Sequence, residues 1–129
     1  MAKYSSFEDL PVWKDARVLV DYIYEFSSMS AFKRDFQFID HLRRTAISIP
    51  SNIAEGFERD GNKEFINFLS IAKGSCGELR TQLYIAFDRH YIDQDQFDSL
   101  LERSLSISKS LSNLIKYLKN SNLKGRKYS

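Results

Sequence analysis

The chain has 129 residues, of which 43% are hydrophobic, and its 19 basic and 17 acidic side chains give a formal net charge of +2. A chain of this length forms one domain with a sizeable core. No apolar run reaches the length of a transmembrane helix, the N-terminus has no signal-peptide core, and the single cysteine excludes an internal disulfide, so we expect a cytoplasmic protein.

The first predicted helix covers about residues 10–28. Asp9 is a suitable N-cap, and Pro11 falls in the first turn, where its missing N–H costs nothing. An apolar stripe at helical spacing predicts the buried face, with Trp13 as its anchor; the stripe comprises Trp13, Ala16, Val20 and Ile23. Further apolar residues beside this stripe make the arc wider than one contact surface requires.

The second predicted helix covers about residues 35–57, with Asp35 as its cap. Its apolar face comprises Ile39, Leu42, Ala46, Ile49 and Ile53, and a separate polar series comprises Arg44, Ser48, Asn52 and Glu55. Each series recurs at spacings of three and four residues. Pro50 has no N–H and its ring crowds the carbonyl group of Ala46, so we expect a kink there.

The third predicted helix covers about residues 62–90, with Asn62 as its cap. Gly74 and Gly77 each cost about 1 kcal/mol relative to alanine inside a helix. We therefore expect another helix, near the Pro50 bend, to approach them closely. Cys76 lies on the apolar stripe of this helix and is interpreted as a small core residue.

The fourth predicted helix covers about residues 93–120, because Asp93 and Gln96 have the spacing of a capping box. Residues 121–129 form a basic tail. Four long helices with short connections predict an all-α fold: an antiparallel up-down-up-down four-helix bundle, with the second helix kinked at Pro50 and one domain over residues 1–129.

Charge is unevenly distributed along the chain. Residues 9–25 contain four acids and two bases, whereas residues 109–127 contain six bases and no acid. One interpretation is a solvated helix end, where lysine is favoured by the helix dipole. The other is a nucleic-acid-binding patch, for which the candidates are Lys116, Lys119, Lys124, Arg126 and Lys127, with Arg43 and Arg59 as weaker candidates. No aromatic residue is clearly placed to stack on bases, so sequence specificity should be low.

Three blocks of sequence resemble one known family. They are DLPVWKDA at residues 9–16, LRRTA followed by SIPSNIAEG within residues 42–56, and the segment 63–79. The blocks are similar to those of small bacterial four helix bundle proteins, to the proteins encoded in intervening sequences of the large-subunit ribosomal RNA gene, and to the accessory variability determinant of diversity-generating retroelements. His41, Glu58 and Gly77 depart from the pattern without threatening the fold.

The resemblance implies a homo-oligomer, specifically a homopentamer. It also implies DNA or RNA as a candidate partner, and a protein partner such as a reverse transcriptase. We interpret one set of residues as structural or as part of a subunit interface. It includes the polar series of the second helix, which the resemblance covers as a block. The full set is Trp13, Arg44, Ser48, Pro50, Asn52, Glu55, Gly74 and Glu78.

The catalytic motifs that we considered are missing from the sequence. Neither His41 nor His90 follows a glutamate by three residues, as a di-iron bundle would require, and we expect no metal or cofactor. Three functions stay open. The first is a non-enzymatic oligomeric accessory protein that binds nucleic acid weakly, the second is a structural or protein-interaction module, and the third, which we favour least, is a ribonuclease that uses Arg34 and His41.

Overall fold

A computed structural model describes residues 4–122. Within that range the chain forms four helices and no strand, which confirms the predicted all-α fold. Two 3-10 turns, Phe7–Asp9 and Ser30–Phe32, precede the first and second helices. The helices are α1 (Pro11–Ser27), α2 (Phe36–Glu58), α3 (Asn62–Asp88) and α4 (Gln94–Asn122). None of these helices is long and apolar enough to span a membrane.

The helices surround one apolar core. α2 packs mainly against α3, and α3 packs against α4, while α1 packs against α2 and α4. α1 and α3 therefore stand at diagonal corners of the bundle. Contacts between α3 and α4 run in opposite directions along the two helices, because Asn62 at the start of α3 meets Leu118 near the end of α4, whereas Tyr84 meets Phe97 near the start of α4.

The start of α1 differs from the prediction. Leu10, not Asp9, is the N-cap residue, and Pro11 is the first helical residue as expected. Asp9 belongs to the preceding turn, where its carboxylate accepts hydrogen bonds from the hydroxyl groups of Ser5 and Ser6, at 3.4 and 3.2 Å. Its side chain is thus engaged by residues that precede it, and it does not cap α1.

The buried face of α1 is also shifted relative to the predicted stripe. Trp13 and Val20 are only half-buried, and the fully buried apolar positions are Val12, Ala16, Leu19 and Ile23. Both sets satisfy the spacing of an amphipathic helix, so periodicity alone could not choose between them. The contacts of α1 with α2 and α4 decide the orientation, and they leave the Trp13 side of the helix near the surface.

Of the three other predicted caps, two are confirmed and one is wrong. The Asp35 carboxylate accepts a hydrogen bond from the backbone N–H of Phe38 at 3.4 Å. Asp93 and Gln96 form a reciprocal capping box, with both hydrogen bonds 2.8 Å long. Asn62 does not cap α3: Gly61, with φ of +83°, is the N-cap residue, and buried Asn62 donates a hydrogen bond to the carbonyl oxygen of Leu118.

α2 passes through Pro50 as one continuous helix, and the predicted bend stays a prediction. The apolar face of α2 is buried as expected at Leu42, Ala46, Ile49 and Ile53. Among these apolar contacts lies one polar pair. Gln82 of α3 donates a hydrogen bond to the hydroxyl oxygen of Thr45 at 3.0 Å, and that hydroxyl donates to the carbonyl oxygen of His41. The side chain of Gln82 therefore joins α3 to α2 inside the core.

The close helix approach occurs at Gly56 and not at Gly74, which corrects the prediction. A Cβ atom added to Gly56 would lie 2.6 Å from the Cβ atom of Phe68 and 3.0 Å from the ring of Phe65. A Cβ atom added to Gly74 would meet nothing within 4 Å. α2 and α3 therefore pack closely just before the turn that joins them, whereas Gly74 faces outward.

One end of the bundle is held by an aromatic cluster. The ring of Tyr91 lies 5.0 Å from that of Phe32 and 5.8 Å from that of Phe38. The Tyr91 hydroxyl donates a hydrogen bond to the Asp35 carboxylate at 2.6 Å, and this bond raises the pKa of Tyr91 above its usual value. The cluster joins the α1–α2 connection to the α3–α4 connection.

Cys76 is fully buried, as predicted. Burial disfavours the thiolate and raises the pKa of the thiol from 9.0 to about 11. The hydroxyl group of Ser104 on α4 donates a hydrogen bond to the carbonyl oxygen of Cys76 at 3.2 Å. Cys76 therefore lies where α3 contacts α4.

Substitution of Gly56 should show whether the close packing of α2 and α3 requires a residue without a side chain there. Gly56→Ala should lower the free energy of unfolding by about 1–3 kcal/mol, because the new methyl group can be accommodated only if α2 and α3 move apart. Urea denaturation followed by circular dichroism measures the change. Gly74→Ala is the matched control and should not destabilise the folded chain. Equal stability of Gly56→Ala and the wild type would contradict the close contact.

The raised pKa of Cys76 predicts a dependence of stability on pH. Because the unfolded thiol ionises near pH 9 and the folded thiol near pH 11, the folded state binds more protons between these values. The free energy of unfolding should therefore fall as the pH rises from about 9 to 11. Cys76→Ala should show a smaller fall over the same range in parallel denaturant titrations. Identical pH profiles of the two proteins would contradict the assignment.

Candidate functional site

The two residues of the ribonuclease hypothesis have different neighbours. The Arg34 guanidinium lies 5.7 Å from the centre of the Phe36 ring, and the His41 Nε2 atom lies 3.2 Å from a Glu78 carboxylate oxygen. No hydrogen bond joins Arg34 to His41 in the described structure. Within residues 4–122, no group of three or more His, Cys, Asp or Glu side chains could hold a metal ion.

A basic surface lies where α3 begins and α4 ends. The Asn62 amide nitrogen is 3.4 Å from the carbonyl oxygen of Leu118, so the adjacent Lys63 and Lys119 lie at the same end of the bundle. Lys116 lies one turn before Lys119 on α4. Lys63, Lys116 and Lys119 are exposed, and none of them forms an ion pair with another described residue. We call these three lysines the basic end.

The other candidates in the tail, Lys124, Arg126 and Lys127, lie outside the described residues. α4 continues to Asn122, so the tail begins close to Lys119 in the chain. Acidic residues are also present at this end: Glu58 is the last residue of α2 and Asp60 lies in the turn before α3. They lower the positive potential around the lysines.

Arg59 is already surrounded by carboxylates. Its guanidinium lies 2.8 Å from Glu55 and 4.0 Å from Glu64, and its Cζ atom is 5.1 Å from the centre of the Phe68 ring. These contacts link the end of α2 to the start of α3. A phosphate group would have to compete with them, and a role of Arg59 in nucleic-acid binding stays a prediction.

Arg43 has structural partners at the C-terminal end of α1. Its Nε–H donates to the Ser27 hydroxyl oxygen at 2.8 Å, and its Nη2 donates to the Ser28 hydroxyl oxygen at 3.0 Å and to the carbonyl oxygen of Tyr24 at 3.5 Å. The guanidinium also lies 4.5 Å from the centre of the Tyr24 ring. A cation at a helix C-terminus complements the dipole and the unpaired carbonyl groups there.

The polar series of α2 forms mostly local contacts. Arg44 pairs with Asp40 one turn earlier, and Glu55 pairs with Arg59 one turn later. Between them, Ser48 donates a hydrogen bond to the carbonyl oxygen of Thr45 at 2.6 Å, and Asn52 donates to that of Ser48 at 2.7 Å. These bonds satisfy polar groups on both sides of Pro50. The role of this series in a subunit interface stays a prediction.

A shallow apolar groove runs between α1 and α2, and Trp13 and Pro50 lie on its walls. Its volume is about 370 Å³, and its apolar lining residues include Phe7, Trp13, Val20, Ile47 and Pro50. The rings of Phe7 and Trp13 meet edge to face with centres 5.3 Å apart. Trp13 thus forms part of a surface and does not anchor the interior of the core.

The outward side of α3 carries apolar residues around two glycines. Ile71, Tyr84 and Ile85 are 52%, 52% and 44% exposed, and Cβ atoms added to Gly74 or Gly77 would meet nothing closer than 3.8 Å. We call these five residues the α3 outer face. Glu78, a predicted interface residue, lies beside it and pairs with His41 of α2.

Sequence reasoning missed two of these features. Lys63 stands 53 positions before Lys116 in the chain, and only the contact between the start of α3 and the end of α4 brings them together. The exposed apolar residues of α3 were also missed, because Ile71 and Ile85 lie within a helix whose apolar residues are mostly buried. The two glycines beside them are the one available signal, and glycines inside a helix indicate an internal contact as readily as an external one.

The partners of Arg43 predict a structural role for its side chain. Arg43→Gln should lower the free energy of unfolding by about 1–2 kcal/mol, because it removes charge-assisted hydrogen bonds to the end of α1. Lys116→Gln, which removes an exposed charge that has no ion-pair partner among the described residues, should change stability by less than about 0.5 kcal/mol. Thermal and urea denaturation of both variants test the difference. Equal effects of the two substitutions on stability would contradict a stabilising role of Arg43 at the C-terminal end of α1.

A family model and a solved structure are both similar to this chain. The family model described as "23S rRNA-intervening sequence protein" matches residues 8–113. A crystal structure of a protein of unknown function from the S23 ribosomal protein family of Bacteroides thetaiotaomicron is similar, with a TM-score of 0.76 and 25% sequence identity. The alignment covers 81% of this chain and 98% of that chain. No curated protein matches the sequence.

Proposed function

Because the chain belongs to the 23S rRNA-intervening sequence protein family, we propose that it is a non-enzymatic, self-associating accessory protein that binds DNA or RNA weakly and without sequence specificity. The basic end, continued by the lysines and arginine of the tail, would contact phosphate groups. The observation that carries this proposal is that Lys63 and Lys119 lie at the same end of the bundle, because cations from two helices are then found at one end without carboxylate partners among the described residues.

Low affinity follows from the balance of charge at this end. The three exposed lysines attract phosphate, but Glu58 and Asp60 oppose them, and Arg59 is held by Glu55 and Glu64. Low specificity follows from the chemistry, because lysine contacts with phosphate carry no base information. Self-association would multiply these weak contacts, since each copy adds its own basic end. A pentamer, the state implied by the resemblance, would present five of them.

A protein-interaction module is the second candidate function, and the apolar groove between α1 and α2 favours it. The side chains of Trp13 and Val20 are only half-buried there, and Ile47 is 39% exposed. A groove of this kind accepts apolar side chains of a partner protein. The two candidates differ in one observable property, because only nucleic-acid binding by lysines depends strongly on salt concentration.

Neutralisation of the basic end tests the first candidate. A triple variant with Lys63, Lys116 and Lys119 changed to Gln should bind both DNA and RNA more weakly. Its plot of log affinity against log salt should be less steep, by up to about 0.9 for each duplex phosphate that one copy no longer neutralises. Fluorescence anisotropy with unrelated duplexes and single strands, at two or more salt concentrations, measures both quantities.

The matched control removes three cations from the opposite end of the bundle, with Lys33, Arg34 and Arg89 changed to Gln. Both triple variants change the net charge equally, so a difference between them reports the location of the site. Equal weakening would contradict a localised basic end. If the wild type binds neither DNA nor RNA even at low salt, the nucleic-acid proposal fails and the protein-interaction module is the better description.

A further inference from the structure

A small, mostly apolar pocket lies between the start of α1 and the last turns of α4, beside the basic end. Its volume is about 240 Å³. Leu10 and Val12 belong to its lining and are buried in the core. The other lining residues are half-buried or exposed, and they are Tyr4, Pro11, Ser110, Asn113, Leu114 and Tyr117. Phosphate contacts by the lysines of the basic end leave this pocket without a role.

Two tyrosines give the pocket an aromatic lining. Tyr4 precedes α1 and Tyr117 lies near the end of α4, and the packing of α1 against α4 brings both into one pocket. Nucleobases stack on aromatic side chains with little dependence on which base is present. The pocket is smaller than the roughly 300–1,000 Å³ that encloses a drug-sized ligand. Its size therefore suits one planar ring system.

The α4 side of the pocket adds hydrogen-bonding groups. Ser110 and Asn113 line it, and neither side chain forms a hydrogen bond with another described residue. A hydroxyl group both donates and accepts, and an amide group offers two donors and one acceptor. Unpaired bases are bound through hydrogen bonds to their edges as well as by stacking. These two residues can therefore bond to the edge of a base without selecting one base.

Unpaired cations flank the pocket along α4. Lys116 of the basic end directly precedes Tyr117, and Lys109 is exposed as well. Neither lysine forms an ion pair with another described residue. Lys109 and Lys116 lie one turn before and one turn after Asn113, about 10 Å apart at 1.5 Å per residue. They are placed to contact phosphate groups on either side of a nucleotide whose base enters the pocket.

The opposite side of the pocket is acidic, which gives a bound strand a defined path. Glu8 and Asp9 lie in the turn Phe7–Asp9 directly before Leu10, and both are exposed. Their carboxylates oppose a phosphate group on that side. A sugar–phosphate backbone is therefore expected to follow α4, with the base directed toward α1.

We propose that this pocket binds an unpaired base of single-stranded DNA or RNA while Lys109 and Lys116 contact the phosphates beside it. A duplex keeps its bases paired and stacked, so it offers the pocket no base and uses the lysines alone. Single strands are therefore bound more tightly than duplexes, still with little preference for sequence. The inference rests on the proposed nucleic-acid binding and specifies the form of nucleic acid that is bound.

Strands without bases test the pocket while the protein stays unchanged. Oligothymidylate and an abasic DNA strand of equal length carry the same phosphates, so only base contacts differ between them. The wild type should bind oligothymidylate about tenfold more tightly than the abasic strand, and more tightly than a duplex of that length at the same salt concentration. Fluorescence anisotropy measures the affinities. Oligouridylate and an abasic RNA strand form the RNA arm, and a base-dependent gain in either arm supports the pocket and shows which strand it takes.

Tyr117→Leu removes the ring and keeps an apolar side chain. It should weaken binding of single strands about tenfold and leave duplex binding unchanged. The slope of log affinity against log salt should also stay the same, because no cation is removed. Tyr22→Leu is the matched control: Tyr22 is also half-buried, lies on α1 outside the pocket and contacts Arg103 of α4, and its loss should not change the affinity for single strands. Circular dichroism checks the folding of both variants.

Photocrosslinking locates the base directly and needs no variant. A single strand that contains 5-iodouracil should crosslink to Tyr4 or Tyr117, as located by mass spectrometry. Crosslinks found only elsewhere, or equal affinity of the wild type for base-containing and abasic strands in both arms, would overturn this inference alone. The same holds if folded Tyr117→Leu binds single strands like the wild type. A wild type that binds no nucleic acid at low salt would overturn the proposed function together with this inference.

Discussion

The close contact between Gly56 of α2 and the phenylalanines of α3 is the constraint on which much of this bundle depends. The site of Gly56 has no room for a Cβ atom, because Phe65 and Phe68 occupy the space. This contact lies just before the tight turn from α2 to α3, so it sets the distance between the helices where the chain reverses. The buried pair of Thr45 and Gln82 joins the same two helices farther along.

Polar side chains stabilise the ends of the helices, in addition to the apolar contacts of the core. Arg43 of α2 binds carbonyl and hydroxyl oxygens at the end of α1, and Tyr91 binds the carboxylate that caps α2. Asn62 of α3 reaches the last turns of α4. Each of these bonds satisfies a group at a helix end and joins neighbouring helices, so the bundle is held at both ends as well as in its core.

The described surface carries three separate features. The basic end carries exposed lysines, the groove between α1 and α2 carries half-buried apolar residues, and the α3 outer face carries exposed apolar residues around two glycines. The two residues of the ribonuclease hypothesis have other partners, since His41 pairs with Glu78 and Arg34 lies over Phe36.

The sequence by itself determined the number and approximate bounds of the helices, the caps at Asp35 and Asp93, the buried face of α2 and the burial of Cys76. These features depend on local spacing and on side-chain chemistry within a few residues. Only the tertiary structure decided which side of α1 faces the core, that Gly56 and not Gly74 is the site of close packing, and that Lys63 and Lys119 lie at the same end of the bundle. Those outcomes depend on contacts between residues far apart in the chain, and helical periodicity carries no information about which neighbour a given face will meet.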